Sequence, residues 1–111
     1  MKRNVELLQA TMQQIIDHPE QHDQYRFVDM NICGTTACFA GWAALLSGWS
    51  IARIRRVDSM YDAGAKLLGL TDDEASILFY GSNTRPVLEL MVKDLINGDK
   101  LRFPRHYEDE S

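Results

Sequence analysis

The sequence predicts an all-α, compact single domain of about five helices wrapped around one buried central helix. Three observations predict it. Residues 37–46 carry no charged or strongly polar side chain, yet they are bounded like a helix, and a helix apolar all round is buried all round. The flanking segments place apolar residues three and four apart, the period of half-buried helices. Gly69-Leu70-Thr71, followed by Glu74, reads as a helix end running directly into a capping box, so two helices meet at a corner with almost no linker. A chain of 111 residues suffices for one core and is too small for two.

The first helix is expected over residues 5–17. Asn4 is its N-cap, Val5, Leu8, Met12, Ile15 and Ile16 share a face, and His18-Pro19 ends it. Residues 20–32 turn from polar to loosely alternating and read as an extended or irregular segment pinned by Tyr25 and Phe27; a lone short strand there has no obvious partner. The central helix follows, capped by Thr35 or Thr36 and ended by Gly48 in a left-handed turn. Ala37, Ala40, Gly41 and Ala44 form a small-residue strip for close approach of another backbone, and Phe39, Trp42 and Leu46 form a bulky strip facing the core. At this length it cannot span a bilayer, which takes about twenty residues.

A connector over residues 49–58 mixes Trp49, Ile51, Ile54 and Val57 with Arg53, Arg55 and Arg56. The next helix, residues 60–68, is capped by Asp58 or Ser59 and carries the stripe Met60, Ala63, Gly64, Leu67, Leu68. The capping box Thr71/Glu74 opens a short helix reaching Phe79 or Tyr80, closed by Gly81. Residues 82–84 offer a fresh cap, Pro86 is tolerated in a first turn, and the last long helix turns Val87, Leu88, Met91 and Leu95 inward before Gly98. Outside, Glu89 and Lys93 form a favourably ordered i, i+4 pair. Leu101-Arg102-Phe103-Pro104 is expected to pack back onto the body, and residues 104–111 read as a frayed acidic tail. The expected core centres on Phe39, Gly41, Trp42, Leu46, Leu67 and Phe79.

A formal charge of −4 and a pI near 5.2 argue against non-specific attraction to nucleic acid or anionic membrane. The opening MKRNVELLQATMQQ has no long apolar run, so neither a secretory signal nor an anchor is expected, and the expected location is the cytoplasm. Two cysteines in that compartment read as reduced thiols.

Candidate chemistry is sparse. Cys33 and Cys38 are spaced C-x4-C, without the tight turn of a C-x-x-C redox motif, and free cysteines usually pack as small apolar residues. With His18 and His22 they make four potential zinc ligands, but Cys38 would have to leave the core face, so no metal and no cofactor are expected. Gly34-Thr35-Thr36 lacks the Lys of a nucleotide-binding loop and is explained by capping. His18, His22 and His106 fall in loops or the tail with no nucleophile beside them, and Asp72, Asp73 and Glu74 complement a helix dipole; the chain is not expected to be an enzyme. The short helix, turn and helix around Gly81 imitate a helix-turn-helix, which makes a small DNA-binding or transcriptional regulator the alternative reading. The would-be recognition helix, however, offers only Arg85 and Lys93 as cations, beside Glu89 and Asp94. A zinc- or thiol-dependent protein is the third class. Partner binding leads, because arginines interleaved with aromatics have the composition of interface hot spots: Trp49, Arg53, Arg55 and Arg56 in one cluster, Tyr25 and Phe27 flanking Arg26 in another.

The residues Cys33-Gly34-Thr35, Cys38 and Ala40-Gly41-Trp42, with Leu67-Leu68-Gly69-Leu70-Thr71 and Leu78-Phe79 later, carry a resemblance. The pattern C-G-T-x-x-C-x-A-G-W followed by an L-L-G-L-T corner resembles a family of small proteins widespread in actinobacteria and their phages, mycobacteriophages among them. The likeness runs over about residues 4–97 and includes the Asn4-Val5-Glu6-Leu7-Leu8 opening and His18-Pro19-Glu20. Tyr25 and Phe27 stand where many relatives carry tryptophan, and Ala37 replaces a histidine that some place before the second cysteine, which weakens a metal reading. The resemblance brings no activity; it implies a phage-encoded protein that binds a host protein, with effects on host growth or on competing phage. The expectation is therefore a cytoplasmic, non-enzymatic protein-binding module with a host or phage protein as partner and neither nucleic acid nor membrane.

Overall fold

A computed structural model describes residues 3–22, 24, 29–31 and 34–108. Seven α-helices lie among them: α1 Val5–Asp17, α2 Phe39–Leu46, α3 Ile51–Arg56, α4 Met60–Leu68, α5 Asp72–Leu78, α6 Arg85–Ile96 and α7 Pro104–Glu108. A single 3-10 turn spans Pro19–Gln21, and two three-residue strands, β1 Asp29–Asn31 and β2 Gly34–Thr36, form a small antiparallel hairpin. The architecture is all-α, with one core and a radius of gyration of 12.9 Å, close to the ~13 Å that a compact domain of this length requires.

Four helix starts are set by side-chain caps of the types that favour them. Asn4 accepts from the Leu7 amide to start α1, Ser50 from Arg53 to start α3, and Ser59 from Asp62 to start α4. Thr71 and Glu74 close the reciprocal capping box of α5, with the Glu74 amide donating to the Thr71 hydroxyl at 3.2 Å and the Thr71 amide to the Glu74 carboxylate at 3.0 Å. Gly69 takes the left-handed conformation (φ 70°) that turns the chain from α4 towards α5, and Leu70 beside it is buried.

Phe39, Ala40, Gly41, Ala43 and Ala44 are buried, and α2 lies between α1 and α4. The small-residue strip does what its composition requires: a Cβ placed on Gly64 of α4 would lie 3.1 Å from the Ala40 Cβ and 3.0 Å from the Phe79 ring. At the other side Leu8, Met12 and Ile15 of α1 meet Val87, Leu88, Met91 and Leu95 of α6 in the same core cluster. Residues just before α1 fasten three helices. The Asn4 amide donates to Leu68 O at 2.8 Å, and Arg3 donates to Leu95 O at 2.9 Å while pairing with Glu74.

Several expectations are corrected. Thr35 and Thr36 do not cap α2; they lie in β2, paired with Met30 and Asp29, and the strand at residues 29–31 finds there the partner it lacked in the sequence reading. The cap is Cys38, whose extended backbone lets its sulfur accept from the Gly41 amide at 3.4 Å, so α2 begins at Phe39 and Ala37 precedes it. Leu46 does not belong to the core. It sits in the last turn of α2, where the chain leaves through Ser47-Gly48, and is 44% exposed. Trp42 is half-buried and covers the core instead of filling it, and its indole N–H donates to Gln21 O at 2.8 Å. Leu67 is likewise half-buried against the core, whereas Gly41 and Phe79 are buried.

The connector at residues 49–58 contains α3, and the tail is not frayed over residues 104–108. Tyr107 of α7 is fully buried, its hydroxyl donating to the Asp94 carboxylate at 2.8 Å and accepting from the Arg102 amide at 3.0 Å. A buried polar pin also escaped the sequence reading. Gln24 donates to Leu78 O at 3.0 Å and accepts from the Phe39 amide at 3.3 Å, tying the segment before the hairpin to α2 and α5.

The Arg3–Glu74 pair makes a pH prediction. Burial opposes ionisation of Glu74, but the Thr71 amide and hydroxyl and the Arg3 guanidinium outweigh it and hold the carboxyl below its ordinary value of 4.5. A carboxyl lowered in the folded state stabilises the fold above its unfolded pKa, and that contribution is lost as pH falls through the folded value. Glu74→Gln is therefore expected to lower Tm at neutral pH and to shrink the fall in Tm below pH 4.5, measured by thermal circular dichroism.

Candidate functional site

The site begins with the way α2 ends. Gly48 adopts φ 95°, the Trp49 amide donates back to Ala44 O at 3.0 Å, and Ser50 caps the next helix at once. This sequence folds six residues, Ile51–Arg56, into a short helix held down by buried Ile54 and half-buried Ile51, which leaves Arg53, Arg55 and Arg56 exposed. The three arginines sit in the last turn of α3, where cations complement the helix dipole.

The structure brings Trp49 and Arg53 together. The Arg53 guanidinium lies 3.8 Å over the indole ring centroid, a cation–π stack at the surface. The contact restrains the guanidinium, whose fork of N–H donors suits a planar acceptor such as a carboxylate. Arg56 turns back, donating from Nε to Ala52 O at 3.2 Å. Among the described residues no carboxylate lies within ion-pair distance of Arg53, Arg55 or Arg56. Arg55 borders a groove of about 470 Å³ that continues over Ile54 and Met60 to Asp58 and Tyr61, whose ring is 41% exposed and tilted against Phe79 at a centroid distance of 5.7 Å. A cation, an acid, an aromatic ring and an apolar floor in one concavity can hold protein side chains. Ser59, also on the lining, accepts from the Asp62 amide as a helix cap.

The other predicted cluster, Tyr25 and Phe27 with Arg26, lies outside the described residues, as does Cys33. Of the remaining low-ranked metal set, His18 faces Glu20 with Nδ1 at 3.5 Å, His22 Nε2 is 2.8 Å from Gln24 Oε1, and Cys38 caps α2. Among the described residues no group of three or more His, Cys, Asp or Glu side chains is placed to hold a metal ion. The helix expected to imitate a recognition helix, α6, buries Val87, Leu88, Met91, Val92 and Leu95 and exposes Arg85 and Lys93 alongside Glu89.

Sequence reading missed a second surface. Phe103 is 64% exposed and stands between two concavities, one of about 660 Å³ against α5 and one of about 480 Å³ shared with Tyr80, Pro104 and Arg105. The signal for it is the apolar Phe103 inside the cationic run Lys100-Leu101-Arg102-Phe103-Pro104-Arg105, of which residues 101–104 are expected from sequence to return to the core. Leu101 does return and is buried; Phe103 does not. Among the described residues no helix is long and apolar enough to cross a membrane. Against protein families, curated proteins and solved structures, the chain finds no match.

Proposed function

We propose that the chain is a non-enzymatic protein-binding module whose contact surface is the α3 face, with Trp49 and Arg53 at its centre and Arg55 and Arg56 beside them. The observation that carries this reading is the exposed Arg53 guanidinium held 3.8 Å from the centroid of the half-buried Trp49 ring, at the start of a short helix anchored by Ile54 and Ile51. An aromatic ring and a pre-oriented guanidinium offer large contact area and directional hydrogen bonding at little entropic cost, the properties of an interface hot spot. The motif likeness described above supports a setting: a phage-encoded protein working in the host cytoplasm and directed at a host protein, with consequences for host growth or for competing phage. The C-terminal helices support the DNA-binding alternative less well, since α6 shows two cations with an acid between them.

The reading is tested by affinity pull-down from actinobacterial lysate with tagged protein, nuclease treatment and moderate salt. One host protein enriched despite nuclease is the expected outcome. Empty beads, or capture that disappears with nuclease, would overturn the reading; the latter would favour nucleic acid, whose binding also falls steeply with salt.

A further inference from the structure

The geometry points to a second docking surface, centred on Phe103 and independent of α3, that takes an acidic segment of another protein carrying an apolar side chain. Phe103 is the most exposed large apolar side chain among the described residues, at 64%, while Leu101 two residues earlier is buried at 5% and Tyr107 four residues later at 0%. The ring is thus held out by anchors on both sides, and its exposure is a property of the packed fold. Ring exposure alone would be ordinary; the surroundings are what give it a ligand.

On one side of Phe103 the 660 Å³ concavity runs between α5 and residues 100–106, floored by Ile77 and Leu101. On the other side Tyr80, 44% exposed, and Pro104 extend the apolar surface. The rim chemistry selects the partner. Lys100 lines the larger concavity and Arg105 the smaller one, and of the two acids described on that lining Glu74 is paired with Arg3, which leaves Asp73. Lys100 and Arg105 have no carboxylate within ion-pair distance among the described residues. The Arg102 guanidinium lies over the buried Tyr107 ring at 4.7 Å. A locally cationic rim on a chain of net charge −4 is complementary to carboxylates, while the ring and apolar floor accept an aromatic or aliphatic side chain. The occupant is accordingly an extended acidic and apolar protein segment.

The test is selection of a random dodecapeptide library on the immobilised full chain, followed by titration of the winning synthetic peptide by fluorescence anisotropy. Winners are expected to join Asp or Glu to an aromatic or aliphatic residue. Their affinity is expected to fall about tenfold or more in Phe103→Ser and in the Lys100→Glu/Arg105→Glu double variant, and to hold in Arg53→Ala/Arg55→Ala. All of these positions are exposed, and far-ultraviolet circular dichroism checks that each variant keeps the fold. No enriched peptide, winners without acidic residues, or wild-type affinity in Phe103→Ser would overturn the proposal. A winner sensitive only to the α3 variant would overturn it while supporting the α3 surface. Sedimentation showing a dimer that Phe103→Ser dissolves would assign the patch to a second copy and overturn it too.

Discussion

Phe39→Ala is expected to destabilise the fold by about 3–5 kcal/mol, the usual cost of truncating a buried large aromatic. Phe39 is fully buried at the start of α2, where the helix is wedged between α1 and α4, and its amide is bonded to the buried Gln24 side chain. The cavity could close only if α2 moved, but the Ala40–Gly64 approach and the Phe79 ring already leave that helix little freedom. Domains of this size are stable by about 5–15 kcal/mol in total, so one substitution removes a large share. Urea unfolding followed by circular dichroism measures it. A midpoint equal to wild type would mean that α2 is not the centre of the core. Trp42→Ala is a milder change for a stated reason: Trp42 is half-buried, and its loss removes a cover and the bond to Gln21 O without opening the centre.

Tyr107→Ala is expected to cost a similar ~3–5 kcal/mol. The ring is fully buried and the hydroxyl joins Asp94 of α6 to the Arg102 amide, so α7 is clamped at both ends of one side chain. Tyr107→Phe keeps the ring and loses the two bonds, for about 1–3 kcal/mol, because Asp94 and the Arg102 amide lose a partner. The pair of variants separates packing from hydrogen bonding. The same residue sets an alkaline limit. Burial and the Asp94 carboxylate push the phenol above its ordinary value of 10.0 against the opposing Arg102 amide, so the fold favours the neutral form. That contribution is complete below pH 10.0 and is lost as pH rises through the folded pKa. Tyr107→Phe should therefore lose less stability than wild type above pH 10 in the same unfolding measurement.

What the sequence made legible follows from how local each signal is. The bounds of α1 and α4, the Gly69 turn and the Thr71/Glu74 box were readable because a cap and the helix it starts are neighbours in the chain. The inward set of α6 was readable because a twelve-residue helix shows its period several times over. Helix α3 was not read, although Ser50 and the arginines suit a helix, because six residues are too few to display a period. The β1–β2 pairing was hidden because each strand has three residues and the threonines of β2 are better caps by type than Cys38. Burial of Tyr107 depends on where α6 and residue 102 lie in space, and the surrounding acidic composition suggested the opposite. At the candidate site, composition singled out Trp49 and the three arginines, but the 3.8 Å stack needs the turn at Gly48 to swing Trp49 back beside α3. Leu46 shows the converse error: its type and helical face suggested the core, but its place in the last turn put it in solvent.

The most direct test of the central claim is the affinity of the captured host protein for wild type and for Arg53→Ala/Arg55→Ala, measured by calorimetry. Removing two hot-spot arginines is expected to weaken binding about tenfold or more, with the helical circular dichroism unchanged because both side chains are exposed. Binding at wild-type strength by the folded double variant would contradict the account and remove the α3 face as the contact surface.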